Sequence, residues 1–191
     1  MAIQLQKGGN INLSKEAPNL RKARVGLGWD PRVTEGTEFD LDAMALLVGT
    51  NNRARGDADL VFYNNLSHQS GSVEHTGDNR SGVGDGDDES LVIELAKVPS
   101  YVDKIIISVS IHDARERFQN FGQVQNAFIR VVNEETDAEI VRYDLTEDAS
   151  TETLMVFGEI YRYGTEWKFR AVGQGYREGL VAFLRNHGFN V

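Results

Sequence analysis

Apolar and polar residues alternate with a period of two along much of the chain, which is the pattern of half-buried β-strands. The alternating segments are short and rich in β-branched or aromatic residues, and turn signals lie between them. The loop Glu134–Asp137 and the pair Gly164-Thr165 each join two such segments and predict hairpins. The predicted strands are Ile3–Gln6, Val25–Trp29, Phe39–Leu47, Asp59–Tyr63, Leu91–Leu95, Lys104–Ile111, Ala127–Val132, Glu139–Leu145, Thr153–Arg162 and Glu166–Val172.

Helical signals are fewer than strand signals. The segment Tyr176–His187 places Leu180, Phe183 and Leu184 on one face, and a glycine follows it as a stop signal. A short helix is also predicted over Asp113–Gln119. Many short strands with few helices predict an all-β fold, a two-sheet antiparallel β-sandwich with a few short helices that include a C-terminal one. No repeat or linker divides the chain, so residues 1–191 are expected to form a single domain.

Composition excludes several classes of protein. The chain of 191 residues has no cysteine, which rules out disulfides, thiolate zinc sites and cysteine nucleophiles. No apolar run reaches the roughly 18 residues that a membrane span needs, and the first residues lack the pattern of a signal peptide. These features favour a cytoplasmic protein. A net charge of −9 argues against binding to nucleic acid.

The segment Gly77–Glu89 is unusually dense in carboxylates. It holds five acidic side chains, one asparagine and four glycines. Carboxylates this close repel one another by roughly 1 kcal/mol per pair even in water. Calcium binds six to eight hard oxygens, and glycines allow the backbone to turn its carbonyls towards an ion. The segment therefore predicts a calcium site, and the alternative is an acidic loop without metal. It is not an EF-hand, because the ligand spacing fails and a strand follows at Leu91.

A second group of acids lies in the predicted strand Phe39–Leu47. Asp40 and Asp42 point to one face of this strand, about 6.7 Å apart, while Phe39 points to the other face. Aspartate is disfavoured inside strands, so a pair at this spacing suggests one shared ion. The alternative is an exposed strand edge with solvated acids. Asp30, which follows another predicted strand, is a natural third ligand if the strand ends meet.

The chain resembles the TerD family, the tellurium-resistance and stress-response proteins of bacteria, over essentially its full length. The resemblance implies a β-sandwich that binds two adjacent calcium ions. The motifs that carry it are V-G-L-G-W-D at Val25–Asp30, F-D-L-D-A at Phe39–Ala43, G-D-N-R-S-G-V-G-D-G-D-D-E at Gly77–Glu89, I-H-D-A at Ile111–Ala114, F-G-Q-V at Phe121–Val124, Asn126-Ala127, and G-x-G-Y at Gly173–Tyr176.

The same resemblance implies the ligands and the partners. The partners would be other tellurite-resistance proteins, including a membrane component, which places the chain in the cytoplasm or at the inner membrane as a peripheral protein. Which ligands share which ion stays open. The implied ligands are Asp30, Asp40, Asp42, Asp78, Asn79, Asp85, Asp87, Asp88 and Glu89, with the carbonyls of Gly84 and Gly86 as additional ligands.

The sequence favours a binding protein over an enzyme, and no catalytic residue is expected. Direct reduction of tellurite calls for thiols or a redox cofactor, and the chain has no cysteine and three methionines. A metal-dependent hydrolase or phosphoesterase with a paired-carboxylate two-metal site is the alternative. Known hydrolase motifs are missing, however, and the four histidines are scattered and are interpreted as structural or exposed. The favoured hypothesis is a calcium-dependent interaction module.

Overall fold

The alternating segments form twelve strands and two α-helices within the part of the chain that the computed structural model describes, residues 2–30, 36, 38–76, 86–145 and 149–191. The strands are β1 Ile3–Leu5, β2 Asn10–Asn12, β3 Lys22–Gly28, β4 Leu41–Val48, β5 Leu60–Val61, β6 Val73–His75, β7 Glu89–Glu94, β8 Lys104–Ile111, β9 Phe128–Asn133, β10 Ala138–Asp144, β11 Leu154–Tyr163 and β12 Glu166–Tyr176. The helices are α1 Leu13–Glu16 and α2 Leu180–Asn186.

The strands pair into two sheets of six. The first, sheet A, has the order β1-β10-β9-β3-β7-β6, and the second, sheet B, has the order β2-β12-β11-β8-β4-β5. Both predicted hairpins are confirmed, since β9 pairs with β10 and β11 with β12 in antiparallel register. The predicted two-sheet antiparallel sandwich is confirmed, and one pair within it, β1 with β10, is parallel. The edge strands β2 and β6, of three residues each, were not predicted.

The main core lies between the two sheets. Ala23, Val25 and Leu27 alternate along β3 towards this core and are almost completely buried. Leu41 and Ala43 of β4 enter it from sheet B. Because successive side chains of a strand point to opposite faces, the residues between them face outwards. Arg24 and Gly26 of sheet A are therefore on its outer face.

The helix α2 covers part of the outer face of sheet B. Phe183 and Leu184 pack there against Met44, Leu46 and Val156 in a second, smaller cluster. The apolar face predicted for this segment is thus confirmed. Burial on both faces explains why β4 is buried over its whole length, from Leu41 to Val48.

The helical predictions were too long in one case and wrong in the other. The segment predicted from residue 176 begins its helix only at Leu180, because Gly179 has φ +70° and precedes it as a non-helical residue. The segment 113–119 forms turns and no helix. Asp113 and Phe118 have φ values of +50° and +52°, in the left-handed region that interrupts a right-handed helix. None of the helices in the described parts is long and apolar enough to cross a membrane.

Candidate metal centre

Three acidic segments meet at one end of the two sheets. In sheet A, Leu27 near the end of β3 pairs with Glu89 at the start of β7, so the residues after β3 lie beside those before β7. In sheet B, β4 begins at Leu41, directly after Asp40. The topology therefore brings Asp30, Asp40 and the last residues of the acidic loop to the same end.

Glu89 is buried between the two sheets. Its side chain points to the same face of β7 as Leu91, and the residue is only 3% exposed. One of its oxygens, Oε2, accepts a hydrogen bond from the backbone N–H of Ala43. Ala43 lies on the part of β4 that β5 does not cover, since β5 pairs only with Ala45 and Leu46. Glu89 thus satisfies a backbone group at the edge of sheet B, which would otherwise be left unpaired.

Burial disfavours the ionised form of the Glu89 carboxyl. It raises the pKa of this carboxyl from its ordinary 4.5 to about 7, and the negative charge of nearby Asp42 adds to the rise. The His75 imidazole and the Ala43 N–H oppose this shift without cancelling it. His75 is itself buried, and its Nε2 lies 3.6 Å from Glu89 Oε2. Neither ring nitrogen of His75 has a hydrogen-bond partner among the described residues.

Asp88 links the acidic loop to the end of β3. Its backbone N–H donates to the carbonyl of Leu27 at 2.7 Å, and its Oδ2 accepts from the N–H of Trp29 at 2.9 Å. The pKa of Asp88 is raised by burial and by the negative charges of Asp87 and Asp30, against the Trp29 hydrogen bond, which lowers it. Asp88 is therefore close enough to Asp87 and to Asp30 to be repelled by both carboxylates.

Asp40 directly precedes β4, and Asp42 is the second residue of this strand. Different partners hold the two side chains. Asp42 is buried, and its Oδ2 lies 3.4 Å from Nδ1 of His112. Asp40 lies 3.7 Å from a guanidinium nitrogen of Arg117, and its carbonyl accepts from the N–H of His112 at 2.8 Å. The pair thus lies at this end of the sandwich, and each carboxylate has a basic side chain within 4 Å, His112 beside Asp42 and Arg117 beside Asp40.

Asp30 is held by the loop that precedes β9. Its Oδ2 accepts from Nδ2 of Asn126 at 2.6 Å, and its N–H donates to the carbonyl of Gln125 at 2.9 Å. Asn126 has φ +52°, in the left-handed region that asparagine tolerates better than most residues. This loop therefore fixes the position of Asp30 beside the loop residues Asp87 and Asp88.

Asp87 lies on the outer face of sheet A, away from the buried face that Glu89 occupies. Its Oδ1 accepts from Nε of Arg130 at 2.7 Å, and its Oδ2 lies 3.8 Å from Arg24. The hydrogen bond to Asp87 raises the pKa of Arg130. A β-carbon at Gly26 would overlap the Asp87 carboxylate, so this glycine makes room for it. Asp87 therefore has arginine partners within the chain, a role that the sequence analysis did not assign.

The remaining predicted ligands are only partly described. Gly86 has φ +106°, and a β-carbon at Gly28 would lie 3.0 Å from its carbonyl oxygen, so the loop backbone crosses the end of β3. Asp78, Asn79, Gly84 and Asp85 lie outside the described residues. Within the described parts, no group of three or more Asp, Glu or His side chains has the arrangement of a metal site.

The donor chemistry at this end nevertheless suits a hard cation. The described ligand candidates are carboxylates and a carbonyl, and two of the carboxyls have raised pKa values because like charges and burial oppose ionisation. Oδ2 of Asp87 is buried and has no hydrogen-bond partner within the described ranges, beyond the distant Arg24. A cation that accepts oxygen ligands would stabilise all of these groups in their charged form.

Three residues at this end had no role in the predicted site. His75 was interpreted as structural or exposed, and it lies against Glu89 in the buried space. Arg130 faces outwards on β9 and pairs with Asp87, and Asn126 holds Asp30. The outward position of Arg130 follows from the alternation of β9, but its acidic partner is distant in sequence. Only its register opposite Gly26 of β3 reveals the contact.

Comparisons with known proteins identify the family. The model of the TerD domain matches residues 1–187. The chain belongs to the TerD family. It is 61% identical over 190 residues to the tellurium resistance protein TerD of Serratia marcescens, covering 100% of this chain and 99% of that protein. It is 48% identical over 192 residues to the general stress protein 16U of Bacillus subtilis (strain 168), with all of both chains covered.

Solved structures confirm the fold of this TerD-family chain. The crystal structure of SAV2460, a protein of unknown function, has a TM-score of 0.72 and 25% sequence identity, and covers 90% of this chain and 99% of its own. A TerD homologue from Streptomyces coelicolor A3(2) has a TM-score of 0.71 at 23% identity, and covers 87% of this chain and 96% of its own. Members of the family are named for tellurium resistance and stress response, and the two-sheet sandwich is the family's fold.

Proposed function

We propose that this protein binds calcium at the acidic end of the sandwich and acts in tellurite resistance and general stress response as a calcium-dependent interaction module. The observation that carries the proposal is the buried Glu89. This carboxylate lies between the sheets with Asp42 nearby, and its pKa is raised to about 7. A folded protein avoids such an uncompensated charge unless a proton or a cation neutralises it.

Two ions would be held by oxygen ligands from both sheets and from the loop. Sheet B contributes Asp40 and Asp42. From sheet A and its loops come Asp30, Asp88, Glu89 and the carbonyl of Gly86, with Asp87 as a ligand that Arg130 already engages. The residues outside the described ranges would complete the set, namely Asp78, Asn79, Gly84 and Asp85. When bound, the ions supply positive charge and no chemistry of their own.

The residues of the chain would position this charge in a defined way. Ala43 orients Glu89, Trp29 orients Asp88 and Asn126 orients Asp30. Since Glu89 comes from sheet A and Asp42 from sheet B, an ion shared by the two would join the sheets at this end. The surface that the ions stiffen would then contact a partner, in line with a switch in which a bound ion biases local structure. Other tellurite-resistance proteins, including a membrane component, are the partners that the family suggests.

Calorimetric titration of the metal-free protein with calcium tests this proposal. We expect saturable binding with a dissociation constant in the range of about 10⁻⁹–10⁻⁵ M that cytosolic sites need. Excess calcium at about 100 times this constant should stabilise the fold by about 3 kcal/mol, which chelator removes. The Asp42→Asn variant should bind at least about tenfold more weakly, because a ligand charge is lost.

The matched control is Asp57→Asn, because Asp57 is an exposed aspartate far from the acidic end. It should bind calcium like the wild type. Equal melting temperatures in calcium and in chelator, or equal binding by Asp42→Asn and the wild type, would contradict the proposal. A phosphoesterase screen with calcium, magnesium and manganese separates the module from a metal-dependent hydrolase, since only the hydrolase would turn over substrate and lose that activity in Asp42→Asn.

A further inference from the structure

A serine, a histidine and an aspartate form a hydrogen-bonded chain beside the edge strand β5. Asp59 directly precedes β5, and Leu60 of this strand pairs with Leu46 near the end of β4. The acidic segments lie instead at the end where β4 begins. Asp59, with His68 and Ser70 bound to it in turn, is therefore towards the opposite end of the sandwich, and none of the three is a proposed calcium ligand.

One tight turn before β6 holds the serine and the histidine together. The N–H of Gly71 donates to the carbonyl of His68 at 2.8 Å, and Gly71 has φ +68°, a conformation that glycine adopts readily. The N–H of His68 donates to the carbonyl of Val73 in β6 at 2.9 Å, which fixes the turn to sheet A. In this turn, Oγ of Ser70 lies 2.7 Å from Nδ1 of His68, within the reach that a nucleophile and its base require.

A backbone contact assigns the proton of the imidazole. The N–H of Ser70 donates to Nδ1 of His68 at 3.2 Å, so this nitrogen accepts and carries no proton. The proton of the neutral ring is then on Nε2, which lies 3.2 Å from Oδ1 of Asp59. Nδ1 can therefore act as a base towards the Ser70 hydroxyl. In serine proteases the two ring nitrogens have the reverse roles, but the unprotonated nitrogen is the base in both arrangements.

Asp59 is fixed in a position that orients this histidine. Both residues are only 2% exposed. Oδ2 of Asp59 accepts from the backbone N–H of Arg55 at 2.7 Å, and Oδ1 accepts from the hydroxyl of Tyr101 at 2.6 Å. The guanidinium of Arg55 packs over the Tyr101 ring, 3.5 Å from its centre. A carboxylate held in this way keeps the ring in one tautomer and stabilises the imidazolium that forms when His68 takes up a proton.

Ser70 is more exposed than the histidine it contacts. It is partly buried and lies between the exposed residues Gln69 and Gly71. The N–H of Ser72 donates to Oγ of Ser70 at 3.2 Å, and Oγ of Ser72 lies 2.8 Å from the same oxygen. Such donors stabilise the negative charge that develops on a serine oxygen when its proton leaves. A small molecule can thus approach Ser70 from the surface of the turn.

We propose that Ser70 is a nucleophile that accepts acyl groups from small activated esters, with His68 as the general base and Asp59 as a positioning residue. Oγ of Ser70 bonds to the ester carbonyl carbon, the bond from this carbon to the leaving oxygen breaks, and the serine proton passes to Nδ1 of His68. The leaving group departs as an anion or takes this proton. Water then hydrolyses the acyl-serine by the same route, which releases the acid and restores Ser70.

Reaction of the full-length protein with p-nitrophenyl acetate tests this proposal. We expect release of nitrophenolate and an acetyl group on Ser70, located by mass spectrometry. Ser70→Ala should lose this acetyl group and release nitrophenolate at least about tenfold more slowly. Ser67→Ala is the matched control at an exposed serine of the same loop and should react like the wild type. Acetylation of lysines alone, or equal release by Ser70→Ala and the wild type, would overturn the proposal.

A thiol at the same position tests the base without a substrate. Because the chain has no cysteine, Ser70→Cys and Ser67→Cys each carry a single thiol. At pH 6 an ordinary thiol is almost fully protonated, whereas a neighbouring base increases its reactivity. The thiol of Ser70→Cys should therefore react with iodoacetamide at least about tenfold faster than that of Ser67→Cys. Equal rates would mean that no base activates this position.

The ¹⁵N NMR spectrum of the His68 ring tests the role of Asp59. In the wild type we expect the proton on Nε2, and a proton on Nδ1 would contradict the proposal. Asp59→Asn should change this spectrum and slow the acetylation of Ser70 at least about tenfold. Asp57→Asn, at a nearby exposed aspartate, should change neither. Each result should be the same in calcium and in chelator, so the outcome does not depend on the calcium proposal.

Discussion

Glu89 and Glu159 are two buried glutamates whose surroundings are opposite. Each is at most 7% exposed, and one belongs to each sheet. Glu159 lies against Arg170 and within ion-pair distance of Lys104, so the chain itself neutralises its charge. Among the described residues, Glu89 has a backbone N–H and the His75 ring beside it, with a second carboxylate nearby. Burial alone therefore does not show whether a carboxylate has a cationic partner within the described part of the chain.

The two glutamates differ in how many cationic side chains lie beside them. Beside Glu159 the chain places two cationic side chains, Arg170 and Lys104. At the acidic end the carboxylates outnumber the cations, and Arg24 and Arg130 are engaged by Asp87 on the outer face. The acidic end is thus the one whose carboxylates lack nearby cations among the described residues, which is the physical basis of the calcium proposal.

The largest effect should come from the ionisation of Glu89 in metal-free protein. Below pH 4.5 the carboxyl is protonated in both states, and between pH 4.5 and about 7 only the folded state keeps its proton. The unfolded state then binds fewer protons, so the free energy of unfolding falls as pH rises through this window, by about 3 kcal/mol in total. Urea unfolding in chelator from pH 4 to 8 measures this fall.

The Glu89→Gln variant isolates that contribution. Because glutamine mimics the protonated acid, the variant should be more stable than the wild type above pH 7 in chelator and about equal to it below pH 4.5. Glu178→Gln serves as the control at an exposed glutamate and should follow the wild-type curve. Parallel curves for Glu89→Gln and the wild type would show that Glu89 is not the titrating group.

A smaller change of opposite sign is expected for Glu159→Gln. The substitution leaves Arg170 and Lys104 without their shared carboxylate, which should lower the free energy of unfolding by about 2 kcal/mol at pH 7.5. The figure is below that of a fully buried pair because Arg170 is half exposed. Urea unfolding measures it. A stabilised Glu159→Gln would mean that both glutamates are unfavourably buried, and the comparison would fail.

Removal of Arg130 tests whether the chain neutralises Asp87. Arg130→Gln deletes the 2.7 Å hydrogen bond and leaves Arg24 as the remaining cation at 3.8 Å. We expect a loss of about 1 kcal/mol in the free energy of unfolding. Arg115→Gln, at an exposed arginine outside this pair, is the control. If the two variants unfold at the same urea concentration, the Asp87 pair contributes little to stability.

The smallest effect should come from an exposed ion pair. Lys97 lies 2.9 Å from Glu94, with its side chain 52% exposed. Lys97→Gln should change the free energy of unfolding by less than about 0.5 kcal/mol, because solvent screens such pairs. The same urea series measures this value. A loss as large as that of Glu159→Gln would show that burial does not separate the two kinds of pair.

Local patterns predicted much of the fold. The bounds of β8 coincide with the predicted strand Lys104–Ile111, and both hairpins form where turn residues interrupt the alternation. Local patterns failed where distant contacts decide the outcome. The strand β1 pairs in parallel with β10, about 140 residues away, and segment 113–119 makes turns with its backbone in the left-handed region at two residues.

The sequence by itself determined the alternation of faces, the location of the acids at strand ends and the membership of the TerD family. An alternation with a period of two shows which residues share a face, because successive side chains point to opposite sides of a strand. The alternation does not show which other strand pairs with a given strand or packs against it. Only the tertiary structure decided that Asp87 faces Arg130 while Glu89 faces the core. These contacts depend on strand register and sheet packing, which bring together residues far apart in the chain.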